Sequence, residues 1–148
     1  MIVLLDSGPL GRLSYPRATP ANDAITRWLD DLLAHGIQVL VPEVADYEVR
    51  RELMRTNSTQ AIARLDALAT TAGYLPLTTA TMRQAAAFWA QARQRGRPTA
   101  DPHALDGDVI LAAQAVTLDA GGDTVVIATT NVGHLAQFAD AREWQAIP

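Results

Sequence analysis

Cysteine is missing from the sequence altogether, which excludes a disulfide scaffold, a thiolate-ligated zinc site and thiol catalysis. Lysine is missing too, so the 12 basic residues are all arginine. A genome rich in G and C accounts for that bias as readily as function does, although arginine also suits two-point contacts with phosphate. No apolar run reaches the roughly 20 residues of a membrane span. The opening Met1-Ile2-Val3-Leu4-Leu5-Asp6 lacks the basic start and small-residue cleavage site of a secretion signal. A cytoplasmic location is the expectation.

What is there describes one globular domain. The chain has 148 residues, 49% hydrophobic and 19% charged, enough to bury a real core. The net charge of −4 argues against indiscriminate binding to nucleic acid. The arginines nevertheless cluster, with Arg50, Arg51 and Arg55 in one segment and Arg93, Arg95 and Arg97 in another. An acidic pocket rimmed by arginines would be hidden in a net-charge count.

Apolar runs alternate with helical patterns. Ile2-Val3-Leu4-Leu5 fits a strand buried on both faces of a parallel sheet, and Asp6-Ser7-Gly8-Pro9 reads as the loop that ends it. Thr19-Pro20 is a helix start, followed by Ile25, Trp28, Leu29, Leu32 and Leu33 at helical spacing and a stop at His35-Gly36. A second strand spans 37–41. The helix after Pro42 has Val44, Tyr47, Leu53 and Met54 as its expected buried side. Asn57-Ser58-Thr59 starts another helix carrying Ala61, Ile62, Leu65, Leu68 and Ala69, stopped at Gly73. A third strand is read at 74–77 and a helix at 79–95, with Met82, Ala85, Ala86 and Trp89 inside. Residues 96–105 read as a polar loop and 106–120 as a helix. A fourth strand at 125–128 and a short fifth at 144–147 complete a three-layer α/β/α sandwich with a mostly parallel sheet. Leu10, Leu13, Tyr15 and Trp89 exceed what one small core is expected to hold, and a homodimer is inferred from them.

In an open parallel sheet, ligands sit beyond the carboxyl ends of the strands. Asp6 ends the first strand and Asn131 follows the fourth. Asp106 and Asp108 lie at the expected start of a helix, and Glu48 lies on the helix after strand two. Crowded carboxylates repel and take up protons, and a hard divalent cation with oxygen ligands would relieve that conflict. Each acid also has a plain structural role open to it. Asp6 can cap the turn before Gly8, Asp106 can be a helix N-cap, and Asp108 can sit in a first turn that favours acids. Glu48 can be a solvated surface acid. Glu43 suits the dipole of its own helix, while Asp30, Asp31 and Asp46 read as solvated. His35, His103 and His134 are scattered and read as surface groups. Glu43 and Glu48 are rotated by about 140° about the helix axis, so only one of them can aim at the site. Glu48 borders the face shared by Val44 and Tyr47, taken as the core side.

Four segments, in order, resemble the motifs of PIN domains, and in particular of VapC-like toxins. Val3-Leu4-Leu5-Asp6-Ser7 is similar to the opening strand with its acid and hydroxyl residue. The segment 41–49 is similar to the second motif, with Glu48 as the better match and Glu43 as the alternative. Leu105-Asp106-Gly107-Asp108-Val109 resembles the third, where Asp108 matches the acid. Ile127-Ala128-Thr129-Thr130-Asn131 resembles the fourth, where many relatives have aspartate at the position of Asn131. The resemblance implies an endoribonuclease in which Asp6, Asp108 and Glu48 hold Mg²⁺ or Mn²⁺. Ser7, Thr130 and Asn131 would position waters or the scissile phosphate, with Asp106 a weaker member of the site. It implies an RNA substrate and a small protein antitoxin as partner. An alternative is a PIN domain that binds RNA or acts as a scaffold without cutting, and Asn131, which cannot supply negative charge, favours it. A receiver-like signalling domain is disfavoured because it needs a lysine near the end of a late strand.

Overall fold

The computed structural model describes residues 1–95 and 102–148; Arg97, residues 96–101 of the loop read at 96–105 and the side chain of His103 lie outside the described residues. Among those described, five strands form one sheet in the order β3-β2-β1-β4-β5. The strands are β1 (Ile2–Leu5), β2 (Gln38–Pro42), β3 (Tyr74–Leu75), β4 (Val125–Thr129) and β5 (Ala141–Glu143). Every neighbouring pair is parallel. β1 is therefore central, with Ile2 opposite Gln38 on one side and Val125 on the other. This is the expected sandwich, and all strand ends that follow the chain direction lie on one rim.

Alternation along the strands divides the core in two. Val3, Leu5, Val39, Val41, Val126 and Ala128 point to one face. There they meet α1 (Ser7–Ser14), α2 (Pro20–Ala34), α4 (Thr59–Thr71) and the Ala45, Val49, Leu53 stripe of α3 (Glu43–Arg55). Ile2, Leu4, Leu40 and Ile127 point to the other face, against Leu111, Ala112 and Ala115 of α6 (Pro102–Thr117) and Val44 of α3. A third cluster joins α6 to α5 (Thr79–Gln94) through Ala85, Val109 and Ala113. Full burial of each Leu or Ile here contributes about 1.5–3 kcal/mol. No helix among the described residues is long and apolar enough to cross a membrane.

Several expectations need correction. The segment after Asp6 is not a loop but helix α1. Gly8 and Pro9 read as loop residues, yet the N–H that Pro9 lacks belongs to a first turn, where it would have no intrahelical partner. α6 begins at Pro102 rather than near residue 106; proline in a first turn is a start signal, and here it was read as loop. β5 lies at Ala141–Glu143, and Trp144–Ala146 is a 3-10 turn. The apolar Trp144 and Ile147 drew the expectation away from an edge strand of polar residues. On α3 the buried stripe repeats every four residues at 45, 49 and 53, so Tyr47 and Met54 fall off it and are exposed. Met82 and Trp89 are also exposed, and of the four residues expected inside α5 only Ala85 is buried. Asp46 is buried and paired with Arg50, not solvated. Leu10 and Leu13 are absorbed by the one core, so they offer nothing to a second copy.

Candidate active site

β1 delivers Asp6 to the rim. Asp6 continues the parity of Ile2 and Leu4, so it belongs to the α6 side of the sheet. The register that sets Leu5 opposite Ala128 brings Asp6 beside Thr129. One carboxylate oxygen of Asp6 accepts from the Ser7 backbone N–H at 2.7 Å, which caps α1. The other accepts from the Thr129 hydroxyl at 2.7 Å. Thr129 is fully buried, and its oxygen in turn accepts from the Asn131 N–H at 3.0 Å. Asp6 is thus both an N-cap and an oriented rim acid.

Glu48 comes from the second turn of α3 and Asp108 from the second turn of α6. Both are half-buried, and no hydrogen bond among the described residues engages either carboxylate. Glu48 approaches α6 at Gly107: a Cβ at that position would lie 2.9 Å from its Oε1. A side chain there would make the acid shift. Burial pushes the Glu48 carboxyl above its usual value. The negative charge of Asp6 adds to this, Arg51 opposes it, and Asp108 raises it further. Asp108 is likewise raised by burial first and then by Asp6, with His134 pulling the other way. Asp6, Glu48 and Asp108 are therefore gathered where each pair of charges is felt.

The remaining candidates separate. Asp106 is not an N-cap: it stands in the second turn of α6, exposed, and lines a hollow with Glu48, Tyr47 and Arg51. Asp108 likewise is not in a first turn, so the helix dipole does not account for it. Glu43 accepts a hydrogen bond from the Tyr74 hydroxyl at 3.2 Å, away from the three acids. Ser7 contributes its N–H, and its hydroxyl lies 3.5 Å from Asp6. Thr130 packs over Gly8, where a Cβ would meet its Oγ1 at 2.5 Å. The Asn131 amide stands over Gly133, and no hydrogen bond among the described residues links it to an acid. Of the first arginine cluster, Arg50 is taken by Asp46 and Asp66 and Arg55 by Glu52. Arg51 lies over the Tyr47 ring at 5.0 Å and has no ion pair among the described residues.

Thr129 and His134 were not among the residues picked from sequence. The parity of Thr129 with Ile127 could have found it, since that parity points to the α6 side. His134 was read as a surface group; it is half-buried and within the field of Asp108.

The donor chemistry suits a hard cation. Among the described residues no three His, Cys, Asp or Glu side chains form a ready-made metal cage. Mg²⁺ does not need one, because it keeps several waters and commonly takes one or two carboxylates. One or two of these acids, with water, would meet that demand.

A parallel sheet in the order 3-2-1-4-5, with acids gathered at its carboxyl rim, is the PIN-like α/β fold that the four motifs anticipated. Solved structures agree over nearly the whole chain. A chain of VapBC2 from Rickettsia felis, solved with a DNA fragment from their promoter, matches with a TM-score of 0.72 at 15% identity, covering 97% of this chain and 99% of that one. VapBC-1 from nontypeable Haemophilus influenzae matches with a TM-score of 0.69 at 16% identity, covering 98% and 99%. FitAcB from Neisseria gonorrhoeae matches with a TM-score of 0.68 at 16% identity, over the same shares. No protein-family model and no curated protein matches the sequence.

Proposed function

We propose that the chain is a Mg²⁺- or Mn²⁺-dependent endoribonuclease, acting in the cytoplasm as the toxin of a toxin–antitoxin pair and held in check by a small protein antitoxin. The observation that supports this best is that Glu48 and Asp108, both half-buried, are raised by burial and by the charge of Asp6, which ends β1 at the rim. Burial of like charges without partners is costly, and a bound cation would offset it. The likeness to VapBC and FitAcB supports the toxin part of the reading.

Asp6 and Asp108 would hold the cation, and Glu48 would complete the site. The bound ion would lower the pKa of an attacking water and offset charge building on the phosphate. Asp6 is suited to a fixed ligand role because the Ser7 N–H and the Thr129 hydroxyl hold both of its oxygens. Glu48, with its raised pKa, is suited to take the proton of that water. Arg51 stands beside Glu48 to meet a phosphate. Ser7, Thr130 and Asn131 remain on the rim as groups that orient water or phosphate. The rival, an RNA-binding domain that does not cut, draws on the Asn131 amide, which adds no fourth charge.

Cleavage of RNA in Mg²⁺, stopped by EDTA, is the expected result for the purified chain. Calorimetric titration with Mn²⁺ should show binding that is lost when Asp6→Asn and Asp108→Asn are combined. Unchanged Mn²⁺ affinity in the double variant would overturn the metal site. Binding of RNA without cleavage in any divalent ion would favour the rival.

A further inference from the structure

Three hollows adjoin one another, the first two walled by Glu48. The first, about 480 Å³, is lined by Tyr47, Glu48, Arg51 and Asp106. The second, about 450 Å³, shares Glu48 and Arg51 with it and adds Ser7 and Tyr15. The third, about 590 Å³, shares Tyr15 with the second and adds Arg12 and Arg17. Shared walls make them one groove from α6, past Glu48 of α3 and along α1, to the start of α2. An exposed tyrosine lines the hollow on each side of Glu48. Tyr47 is 59% exposed even with Arg51 over its ring, and Tyr15 is 53% exposed. Arg51, Arg12 and Arg17 make no ion pair among the described residues, whereas Arg50, Arg55 and Arg142 are all engaged by carboxylates.

Exposed aromatic rings cost free energy in water, and Arg12 and Arg17, in a hollow with no carboxylate in its lining, leave a local positive charge in a chain of net negative charge. Together they match a polyanion with flat hydrophobic units along it. Bases of a single strand stack on aromatic side chains, and its phosphates meet arginines. Bases in a duplex are already stacked and offer no free face.

We propose that this groove is a binding track for single-stranded RNA, with Tyr47 and Tyr15 stacking bases on opposite sides of the scissile phosphate and Arg51, Arg12 and Arg17 holding the flanking phosphates. The proposal rests on the ribonuclease reading and adds to it the path and strandedness of the substrate. Tyr47 and Tyr15 are positioning residues: they touch the substrate away from the bond that breaks.

The test is fluorescence anisotropy in EDTA with a labelled RNA oligomer of about 12 nucleotides, within the span of typical single-strand sites. Tyr47→Ala and Tyr15→Ala should each weaken binding by about fivefold to a hundredfold, in line with the loss of one stacked base. Tyr47→Phe and Tyr15→Phe should bind like the unaltered protein, because stacking needs the ring and not the hydroxyl. Replacing Arg12 and Arg17 together with Ala should lower the slope of log affinity against log salt by about 1.4, two phosphates' worth for a single strand. The duplex of the same sequence should bind at least tenfold more weakly. All four side chains are exposed, and unchanged melting temperatures check that the variants fold. If the unaltered chain cleaves RNA while the Ala variants bind like it, the track is wrong and the ribonuclease reading stands. Equal binding of duplex and single strand overturns the stacking assignment. If the unaltered chain neither binds nor cleaves RNA, the ribonuclease reading fails and takes the track with it.

Discussion

Asp46 and Glu48 lie two residues apart on α3 and have opposite surroundings. Asp46 is buried, and both of its oxygens accept from Arg50, at 3.1 and 2.9 Å, while Arg50 also reaches Asp66. Glu48 is half-buried, faces Gly107 of α6, and feels two other carboxylates with only Arg51 in opposition. The first acid is neutralised within the fold. The second is left with a raised pKa and room beside it. A buried charge with a partner has its desolvation cost offset, whereas burial among like charges costs stability and is retained where a site needs the charge.

Removing each charge should separate the two. Glu48→Gln is expected to cut turnover on RNA at least about a hundredfold, in the range for loss of a group in acid–base chemistry, while leaving thermal stability unchanged or slightly higher. Asp46→Asn should do the reverse, lowering stability by about 1–3 kcal/mol through lost charged hydrogen bonds with turnover per folded molecule preserved. Paired activity assays and melting curves decide, and a variant that moves both readouts equally would blur the distinction.

Gly107→Ala sharpens the same contrast from the α6 side. The added methyl group meets the flexible end of Glu48 rather than backbone, so the acid must shift. Inside a helix, alanine is favoured over glycine by about 0.5–1 kcal/mol. Turnover is expected to fall by roughly tenfold to a hundredfold, as for a catalytic group displaced by an ångström or so. Chemical unfolding should show stability equal or raised. Full activity would mean that the position of Glu48 against Gly107 has no bearing on the chemistry.

The smallest effect is on pH dependence. Glu48 and Asp108 have folded-state pKa values above their ordinary 4.5 and 3.8. Between the ordinary and the raised values the folded state binds more protons than the unfolded state. Stability of the metal-free protein therefore falls as pH rises through that window. Melting temperatures recorded in EDTA should decline on going from about pH 4 upward through the raised values, and the combined Glu48→Gln and Asp108→Asn variant should flatten this part of the profile. Saturating Mg²⁺ should flatten it too. An unchanged slope in the double variant would show that these two acids are not the source.

Much of the frame was legible in the linear pattern because local chemistry sets it. The run Ile2–Leu5 fits a strand buried on both faces, and it forms one. Thr19, with Pro20 after it, does cap α2, through a Thr19 hydroxyl that accepts the Asn22 N–H at 3.1 Å. Asp6, Glu48 and Asp108 could each be picked from a short segment. Helix α1 was lost because glycine and proline are permitted in a first turn as well as in loops. Tyr47 was misplaced because two residues three apart on α3 need not both face the core.

Sequence alone therefore determined the alternation of strands and helices and the parallel sheet, since periodicity and capping act over a few residues. Only the tertiary structure decided which charges are compensated. Asp46 and Arg50 find Asp66 from another helix. Glu48 finds Gly107 across a cleft, and Asp6 finds Thr129 across the β1–β4 register, 123 residues away in sequence. Coulomb and desolvation energies depend on distances through space, and no local pattern encodes which distant group will stand beside a carboxylate.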